Sequence, residues 1–264
     1  MLTCKQDPVH HVVMSTHQTV LITGGSAGIG LALARRYHRR GDTVIVGGRS
    51  VSRLDRLRGE LPHVRTLAGD LSRPSDREEL AQTIAREHPR LDVLINNAGI
   101  QRRIGIAADD ASWAERQAEI DILLGAPIHL TALLVPILLK RPEGAQIVNV
   151  TSGGAFTPQP FAPTYSAAKA ALHSYTMTLR HSLASTSVCV TELIPPAVAT
   201  GLAGPGQSHG ADVDAFGDAA FEGITARREE VGFGPTASEE FEQLLANERA
   251  RFDAASTRFA VATF

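Results

Sequence analysis

The strongest constraint on the fold is a regular alternation of short apolar segments with amphipathic segments of helical period. Residues 19–23 form an apolar, β-branched run that ends at glycines, and a helical pattern follows over 31–40. Such a run is typical of a buried strand in a parallel sheet. The same alternation predicts further strands at 43–46, 64–67, 91–95, 145–150 and 188–194, and further helices at 52–61, 75–87, about 113–139 and about 165–184. This pattern predicts an α/β fold with a doubly wound parallel sheet, the Rossmann fold.

Two places interrupt the pattern. Pro127 and Pro136 lie inside the long helical region and predict a kink or a local break there. After Pro195 the chain is dense in Gly, Ala and Pro, and charged amphipathic stretches follow at 213–228 and 238–251. We expect this tail to contain a loop and two helices.

The whole region 19–264 is expected to form a single domain, because a separate unit of about 60 residues would be marginal in stability. Residues from about 200 to 264 are then expected to form a substrate-side loop and peripheral helices. Residues 1–18 are expected to be an N-terminal extension, in which Met14 is an alternative first residue.

Composition argues against several classes of function. A net charge of −2 and a pI of about 6.6 leave no broad basic field, so nucleic acid is not an expected partner. Cys4 and Cys189 lack Cys or His neighbours at zinc-ligand spacing, so we expect two thiols and no metal site. The chain has no run of 18 or more apolar residues and no signal-peptide pattern, which predicts a cytoplasmic protein without a membrane span.

A glycine-rich turn separates the first strand from the first helix. Its sequence, Thr-Gly-Gly-Ser-Ala-Gly-Ile-Gly over 23–30, lies where a helix amino terminus offers unpaired N–H groups and positive dipole. Gly24 permits the tight turn, Gly28 lets the backbone approach a phosphate, and Gly30 lets helix and strand pack closely. With Ser26 and Ile29 between them, these glycines predict a site for a dinucleotide diphosphate.

Residues after the second and third strands bear on the choice of dinucleotide. A site for NAD(H) places an acidic residue about 20 positions after the glycine turn, but this chain has Gly-Gly-Arg-Ser over 47–50. Arg49 suits the 2′-phosphate of NADP(H), so we expect NADP(H) to be preferred and NAD(H) to be possible. Asp70, followed by Leu71, could accept a hydrogen bond from adenine or could cap the next turn.

Tyr165 and Lys169 are four residues apart on a predicted helix, so they share one face. A phenol titrates near ~10 in water, and a nearby cation favours the phenolate, which would make Tyr165 a usable general acid or base. Ser152 follows the strand 146–150 at the carboxyl edge of the sheet, where its hydroxyl could polarise a carbonyl. Thr151 and Ser166 are alternatives for that role.

Taken together, these segments resemble motifs of the short-chain dehydrogenase/reductase (SDR) family. The similarity rests on the turn 23–30, the Asn-Asn-Ala-Gly segment 96–99, Ser152, Tyr165 and Lys169, and it extends from about residue 18 to 200. The resemblance implies that the serine orients the substrate, the tyrosine transfers the proton, and the lysine holds the nicotinamide ribose and lowers the tyrosine pKa.

The resemblance also implies further cofactor contacts. The segment Asn97, Ala98 and Gly99 would support the sheet and line the adenine ribose. Pro195 and Thr200 would lie near the nicotinamide.

Two positions depart from the family pattern. Pro195-Pro196 stands where the family usually has Pro-Gly, which we regard as tolerable. Leu123 stands where a helix asparagine normally maintains a water that connects the lysine to solvent, and leucine cannot hold that water. Asp121 is two residues away on the predicted helix and is a poor replacement.

The sequence therefore predicts an NADP(H)-dependent oxidoreductase that acts on a small-molecule carbonyl or alcohol. The alternative is a dinucleotide-binding sensor or scaffold with weak or no turnover, because fold alone does not establish function. The aromatic side chains of Phe156, Phe161, Phe216 and Phe221 either line an apolar substrate pocket or belong to the core. Since family members pair through two long helices, a homodimer or homotetramer is expected.

Overall fold

A computed structural model describes residues 17–204 and 209–257. Its seven strands form one parallel sheet in the order β3-β2-β1-β4-β5-β6-β7. The strands are β1 (Thr19–Thr23), β2 (Thr43–Gly48), β3 (Arg65–Ala68), β4 (Val93–Asn96), β5 (Ala145–Val150), β6 (Val188–Leu193) and β7 (Glu230–Val231). The predicted doubly wound parallel sheet is confirmed. Because the strand order reverses between β1 and β4, a crevice opens there at the carboxyl ends of the strands.

Eight α-helices lie within the described residues. They are α1 (Gly28–Arg40), α2 (Val51–Glu60), α3 (Pro74–Glu87), α4 (Trp113–Ile120), α5 (Ala126–Leu138), α6 (Pro163–Ser182), α7 (Val213–Thr225) and α8 (Glu239–Ser256). The sequence pattern did not predict β7, because a strand of two residues is too short to show a period of two. Most of the expected N-terminal extension lies outside the described residues.

The long helical region is interrupted just before Pro127, one of the two prolines that predicted a break. A π-helical turn, Asp121–Gly125, joins α4 to α5, and the Ala126 N–H donates to the Asp121 carbonyl five residues back. Pro127 follows in the first turn of α5, where its missing N–H costs little. Pro136 lies inside α5 without dividing it.

Two apolar clusters cover the two faces of the sheet, because successive residues of a buried strand point in opposite directions. Val20 and Ile22 pack into one cluster, whereas Leu21 packs into the other. The expectation of purely peripheral tail helices needs correcting for α7: its Phe216 is fully buried in the first cluster together with Ile224. An amphipathic pattern alone does not distinguish such a helix from one that lies on the surface.

By length and composition alone, the helical stretch Trp113–Leu138 could cross a membrane, although 44% of its most apolar window is buried inside the protein. The sequence-based expectation concerned uninterrupted apolar runs, and the polar side chain of His129 interrupts this one. Within α5, Leu130, Leu134 and Leu138 are fully buried in the second cluster. Much of the apolar character is therefore used in packing against the sheet.

Candidate active site

A cavity of about 1020 Å³ opens at the carboxyl edge of the sheet. This is the upper end of the ~300–1,000 Å³ typical of small-molecule sites. All the predicted site residues except Gly30 line it, namely Gly24, Ser26, Gly28, Ile29, Arg49, Asp70, Leu71, Asn97, Ala98, Gly99, Ser152, Tyr165, Lys169, Pro195 and Thr200. The structure therefore brings into one space residues that lie up to 176 positions apart in the chain, from Gly24 to Thr200.

The glycine turn is held against the end of β4 by Thr23 and Asn97. The Asn97 side chain donates to the Thr23 carbonyl at 2.9 Å, and the Asn97 N–H donates to the Thr23 hydroxyl at 3.0 Å. Gly24 has a φ of +67°, and a Cβ there would lie 2.8 Å from the Ala98 Cα. At Gly30 a Cβ would lie 2.4 Å from the Asn97 amide nitrogen. Gly30 thus serves the packing of the turn behind the cavity.

The first turn of α1 is suited to an anionic group. It contains no acidic residue, and the N-cap residue Ala27 makes no side-chain hydrogen bond to the helix. Gly28 has a φ of +52°, and a Cβ built there would lie 3.3 Å from Thr200. The helix N–H groups, the positive end of its dipole and the absence of side chains at the glycines fit the diphosphate of a dinucleotide.

Two arginines, Arg49 and Arg53, line the cavity beyond the end of β2. The sequence reasoning identified Arg49 but missed Arg53, which lies on α2 one turn further along. Asp70 acts as the turn cap considered above: its Oδ1 accepts from the Ser72 N–H at 3.0 Å and from the Ser72 hydroxyl at 2.9 Å. Burial opposes ionisation of Asp70, but the Ser72 hydrogen bonds and the charges of Arg49 and Arg73 together lower its pKa. The contact to adenine stays a prediction.

Ser152, Tyr165 and Lys169, the Ser-Tyr-Lys trio, meet where β5 ends beside α6. The Ser152 Oγ accepts from the Gly154 N–H at 3.0 Å and lies within hydrogen-bonding reach of the Tyr165 hydroxyl. The Lys169 Nζ donates to the Val150 carbonyl at 2.5 Å and lies 5.8 Å from the centroid of the Tyr165 ring. Helical spacing of four and the end of a buried strand produce this arrangement.

Burial controls the protonation of the trio. It raises the pKa of Tyr165, against the lowering effect of the Ser152 hydrogen bond, and the charge of Glu119 raises it further. Burial also lowers the pKa of Lys169 to about 8, against the opposing charge of Glu192. The expected lowering of the Tyr165 pKa is therefore not seen in this structure, because desolvation of the phenolate raises it.

The departures from the family pattern both lie at this site. Leu123, in the π-helical turn, is fully buried and packs with Ala162, Tyr165 and Ala168. It therefore forms an apolar wall behind the tyrosine. Pro195 and Pro196 both line the cavity, and the Pro195 carbonyl accepts from the Gly153 N–H at 2.9 Å.

The four phenylalanines divide between cavity and packing. Phe161 lines the cavity, with the Arg103 guanidinium 4.4 Å from its ring centroid. Phe156 packs against the rings of His173 and Phe241. Phe216 and Phe221 belong to the first core cluster.

Three ionisable side chains near the trio, Glu119, Glu192 and His173, were not predicted. Glu119 is buried, its Oε1 accepts from the Arg102 N–H at 2.9 Å, and its Oε2 has no hydrogen-bond partner among the described residues. Glu192 is fully buried on β6 and contacts His173. Glu192 and His173 could have been found from the sequence. Glu192 is a glutamate inside an apolar strand, and His173 lies four residues after Lys169.

Comparison with known proteins defines the class. Residues 18–209 match the family model described as short chain dehydrogenase. The "Uncharacterized oxidoreductase DltE" of Bacillus subtilis (strain 168) is 50% identical over 187 residues, which cover 71% of this chain and 74% of that protein. The human "Dehydrogenase/reductase SDR family member 4" is 32% identical over 190 residues, or 70% of this chain and 67% of that protein.

A solved structure of a short-chain dehydrogenase from Sphingobium yanoikuyae in complex with NADPH has a TM-score of 0.78 and 28% identity. The alignment covers 93% of this chain and 98% of that chain. This chain belongs to the short-chain dehydrogenase/reductase family of oxidoreductases, so the resemblance stated from the motifs is confirmed.

Proposed function

We propose that this chain is an NADP(H)-dependent oxidoreductase that transfers hydride between a nicotinamide and a carbonyl or alcohol substrate. The observation that carries the proposal is a single cavity lined both by the glycine turn after β1 and by the Ser-Tyr-Lys trio after β5. The first region offers backbone N–H groups to a diphosphate, and the second offers hydroxyl groups to a substrate oxygen. One ligand space thus joins a nucleotide site to proton-transfer groups.

The residues around the glycine turn would hold the dinucleotide. Gly24, Ser26, Gly28 and Ile29 line the place for the diphosphate, and the Asn97 segment lines the cavity beside it. When bound, the nicotinamide supplies or accepts the hydride.

The trio would handle the proton. In the direction of reduction, the Tyr165 hydroxyl gives its proton to the carbonyl oxygen as the alcohol forms, and in oxidation it takes that proton back. Because the Ser152 Oγ accepts from the Gly154 N–H, its own hydroxyl proton can be donated to the Tyr165 oxygen or to the substrate oxygen. A charged Lys169 favours the phenolate that remains after proton transfer.

Preference for NADP(H) over NAD(H) is part of the proposal. Arg49 and Arg53 line the cavity beyond β2, and the segment 47–50 contains no acidic residue to accept from the ribose hydroxyls. A guanidinium binds phosphate well because its donors match two phosphate oxygens. The NADPH complex of the Sphingobium relative is consistent with this preference.

The proposal is tested by a substrate screen with the purified full chain. Loss of reduced nicotinamide is followed by absorbance with NADPH and a panel of aliphatic and aromatic ketones and aldehydes, and the reverse reaction is followed with NADP⁺ and the matching alcohols. Turnover with at least one pair is expected. Absence of turnover in both directions across the panel would overturn the proposed reaction.

A second candidate is a dinucleotide-binding sensor or scaffold. It is favoured by the apolar wall that Leu123 forms behind Tyr165 and by the raised pKa of that tyrosine, both of which oppose rapid proton exchange. Tight NADPH binding without turnover in the same screen would support this candidate. Turnover that depends on Tyr165 would exclude it.

We also propose a homodimer or homotetramer paired through α5 and α6, with the cytoplasm as its location. The outer side of α5 carries apolar side chains such as Ile128, which is 36% exposed. Light scattering is expected to give two or four times the mass of one chain. A monomer at micromolar concentration would contradict the assembly, and fractionation of expressing cells tests the location.

A further inference from the structure

Glu192 is an unusual residue for a fully buried strand position, because it is a carboxylate with no solvent exposure on β6. Its Oε1 accepts from the Thr151 hydroxyl at 2.6 Å, and its Oε2 accepts from the His173 Nδ1–H at 2.9 Å. A buried carboxylate is expensive unless it is hydrogen-bonded and paired with a positive charge. Thr151 and His173 supply hydrogen bonds to Glu192, and a cation is still needed to balance the negative charge of its carboxylate.

Both hydrogen-bond donors belong to the framework of the Ser-Tyr-Lys trio. Thr151 directly precedes Ser152, and His173 lies one helical turn after Lys169 on the same face of α6. Lys169 donates to the carbonyl of Val150, the residue before Thr151, and the charge of Glu192 acts on the Lys169 ammonium. The buried carboxylate therefore acts on the lysine of the trio through its charge, without a direct ion pair.

The neighbouring carboxylates are balanced differently. Glu230 on β7 pairs with Arg180 at 3.4 Å and with Arg249 at 2.8 Å, and Arg249 also reaches Glu229 at 3.4 Å. Among the described residues, no arginine forms an ion pair with Glu192. Its cationic neighbours are those on α6.

Those neighbours are His173 and Lys169. The other ring nitrogen of His173 lies 3.4 Å from the Glu248 Oε2 of α8. Burial opposes a charge on His173, but the hydrogen bond and charge of Glu192, with the charges of Glu248 and Glu230, raise its pKa. The histidine thus anchors one side of the carboxylate, and the charge of Glu192 favours the charged form of Lys169 against the effect of burial.

We propose that Glu192 is a positioning residue of the active site, which keeps Lys169 charged while Thr151 and His173 fix the carboxylate in place. This proposal rests on the proposed function only in one respect, namely that a charged Lys169 favours the Tyr165 phenolate during turnover. The alternative is that Glu192 merely fastens β6 to β5 and α6. A fastening role predicts a loss of stability on mutation but no change in the titration of the lysine.

The composition of the chain allows a direct test, because it contains only three lysines, Lys5, Lys140 and Lys169. In protein labelled with ¹³C at lysine Cε, an NMR titration reports each ammonium separately, and the variants Lys5→Arg and Lys140→Arg assign the signals. Lys169 is expected to titrate near pH 8 in the wild type. In Glu192→Gln its midpoint is expected to fall by about one pH unit, because a nearby opposite charge is lost.

Two further variants separate charge from structure. Glu192→Asp keeps the negative charge but shortens the side chain by one methylene, which moves the carboxylate away from Lys169. The titration midpoint of Lys169 should therefore fall by less than in Glu192→Gln. The matched control is Glu230→Gln, which removes a carboxylate from the next strand and should leave the Lys169 midpoint unchanged. If Glu192→Gln does not fold, a lowered midpoint in Glu192→Asp still supports the proposal, and an unchanged midpoint overturns it.

The titration is independent of turnover, so the two proposals can fail separately. If the wild-type protein has no carbonyl activity, the proposed reaction is wrong. The Lys169 titration midpoints measured by NMR still decide the role of Glu192. An unchanged Lys169 midpoint in folded Glu192→Gln, or an equal shift in Glu230→Gln, would overturn the positioning role. Where a substrate is found, the alkaline limb of the pH profile of kcat should move to lower pH in Glu192→Gln.

Discussion

At the glycine-turn end of the cavity the ligand space is bounded by backbone N–H groups and glycine Cα atoms, whereas at the trio end it is bounded by side-chain hydroxyls and a buried ammonium. The first end depends on the absence of side chains, as at Gly24 and Gly28. The second end depends on charge held away from water, as at Lys169 and Glu192. Added bulk should therefore damage the first end, and removal of a single functional group should damage the second.

The two ends also differ in their relation to stability. Hydrogen bonds from Asn97 and Ala98 to Thr23 fasten the glycine turn to the end of β4, so binding geometry and folding support each other. At the trio, burial opposes the charged state of Lys169. We infer that the trio end gives up some stability for its chemistry, as strained or desolvated functional sites commonly do.

The largest expected effect is at the trio. Tyr165→Phe removes the hydroxyl that transfers the proton, so kcat should fall by about 10²–10⁴-fold, the usual contribution of a general acid. NADPH affinity should stay within about threefold of wild type, since the glycine turn is untouched. Initial rates and calorimetry measure the two quantities.

Tyr175→Phe is the matched control for that variant. Tyr175 lies on the same helix, half-buried and hydrogen-bonded to Thr131, away from the cavity lining. Its replacement should leave kcat nearly unchanged. Equal losses in both variants would mean that packing of α6, and not the Tyr165 hydroxyl, limits the rate.

Lys169→Met should abolish most activity yet stabilise the protein. The pKa of Lys169 is about 8 in the folded protein against 10.5 ordinarily, so the folded state holds its ammonium less readily than the unfolded chain. The gain in unfolding free energy should be about 3 kcal/mol below pH 8, shrink between pH 8 and 10.5, and vanish above. Urea unfolding at several pH values measures it.

The exposed Lys140→Met provides the control for this experiment and should show no comparable gain. A Lys169→Met protein that is less stable than wild type at pH 7 would contradict the claim that burial of this charge costs stability.

Gly30→Ala tests the other end by adding bulk. Its Cβ would lie 2.4 Å from the Asn97 amide nitrogen and 2.6 Å from the Gly24 carbonyl oxygen. The unfolding free energy should fall by about 1–3 kcal/mol, as in other overpacked sites, and NADPH should bind more weakly. Gly59→Ala, which meets nothing within 4 Å on α2, should instead gain about 0.5–1 kcal/mol. Similar effects at both glycines would refute the packing argument.

The smallest of these effects concerns the choice of dinucleotide. Arg49→Leu should raise the Kd for NADPH by about 10–100-fold, the loss of a charged hydrogen bond worth about 1.5–3 kcal/mol, and leave the Kd for NADH unchanged. Arg56→Leu, an exposed arginine on α2 outside the cavity lining, is the control. If Arg49→Leu still prefers NADPH over NADH, Arg53→Leu should lose that preference. If both variants keep it, the arginines do not cause the preference for NADPH.

Most of the fold could be predicted, since each strand and helix carries its own apolar period. The glycine turn and the Tyr165–Lys169 pair could be predicted for the same reason: their geometry is set within one turn or one helix. The contact between Thr151 and Glu192 joins residues 41 positions apart, and its partner His173 lies on a third element. Short periodicities carry no information about such a meeting.

Other misses have similarly local causes. The two-residue β7 is stabilised by pairing with β6 and not by its own sequence. Arg53 looks like any exposed helix arginine until α2 is placed beside the cavity. The effect of burial on Tyr165 depends on Leu123 and Ala162 packing around the ring, which the sequence alone does not reveal.

The most direct test of the account is a calorimetric titration of the purified chain with NADPH and with NADH, because every catalytic step requires the dinucleotide in this cavity. We predict one NADPH per chain, bound at least ten times more tightly than NADH through the arginines beyond β2. Binding of neither nucleotide would contradict the assignment of the glycine turn. Tighter binding of NADH would contradict the role of Arg49.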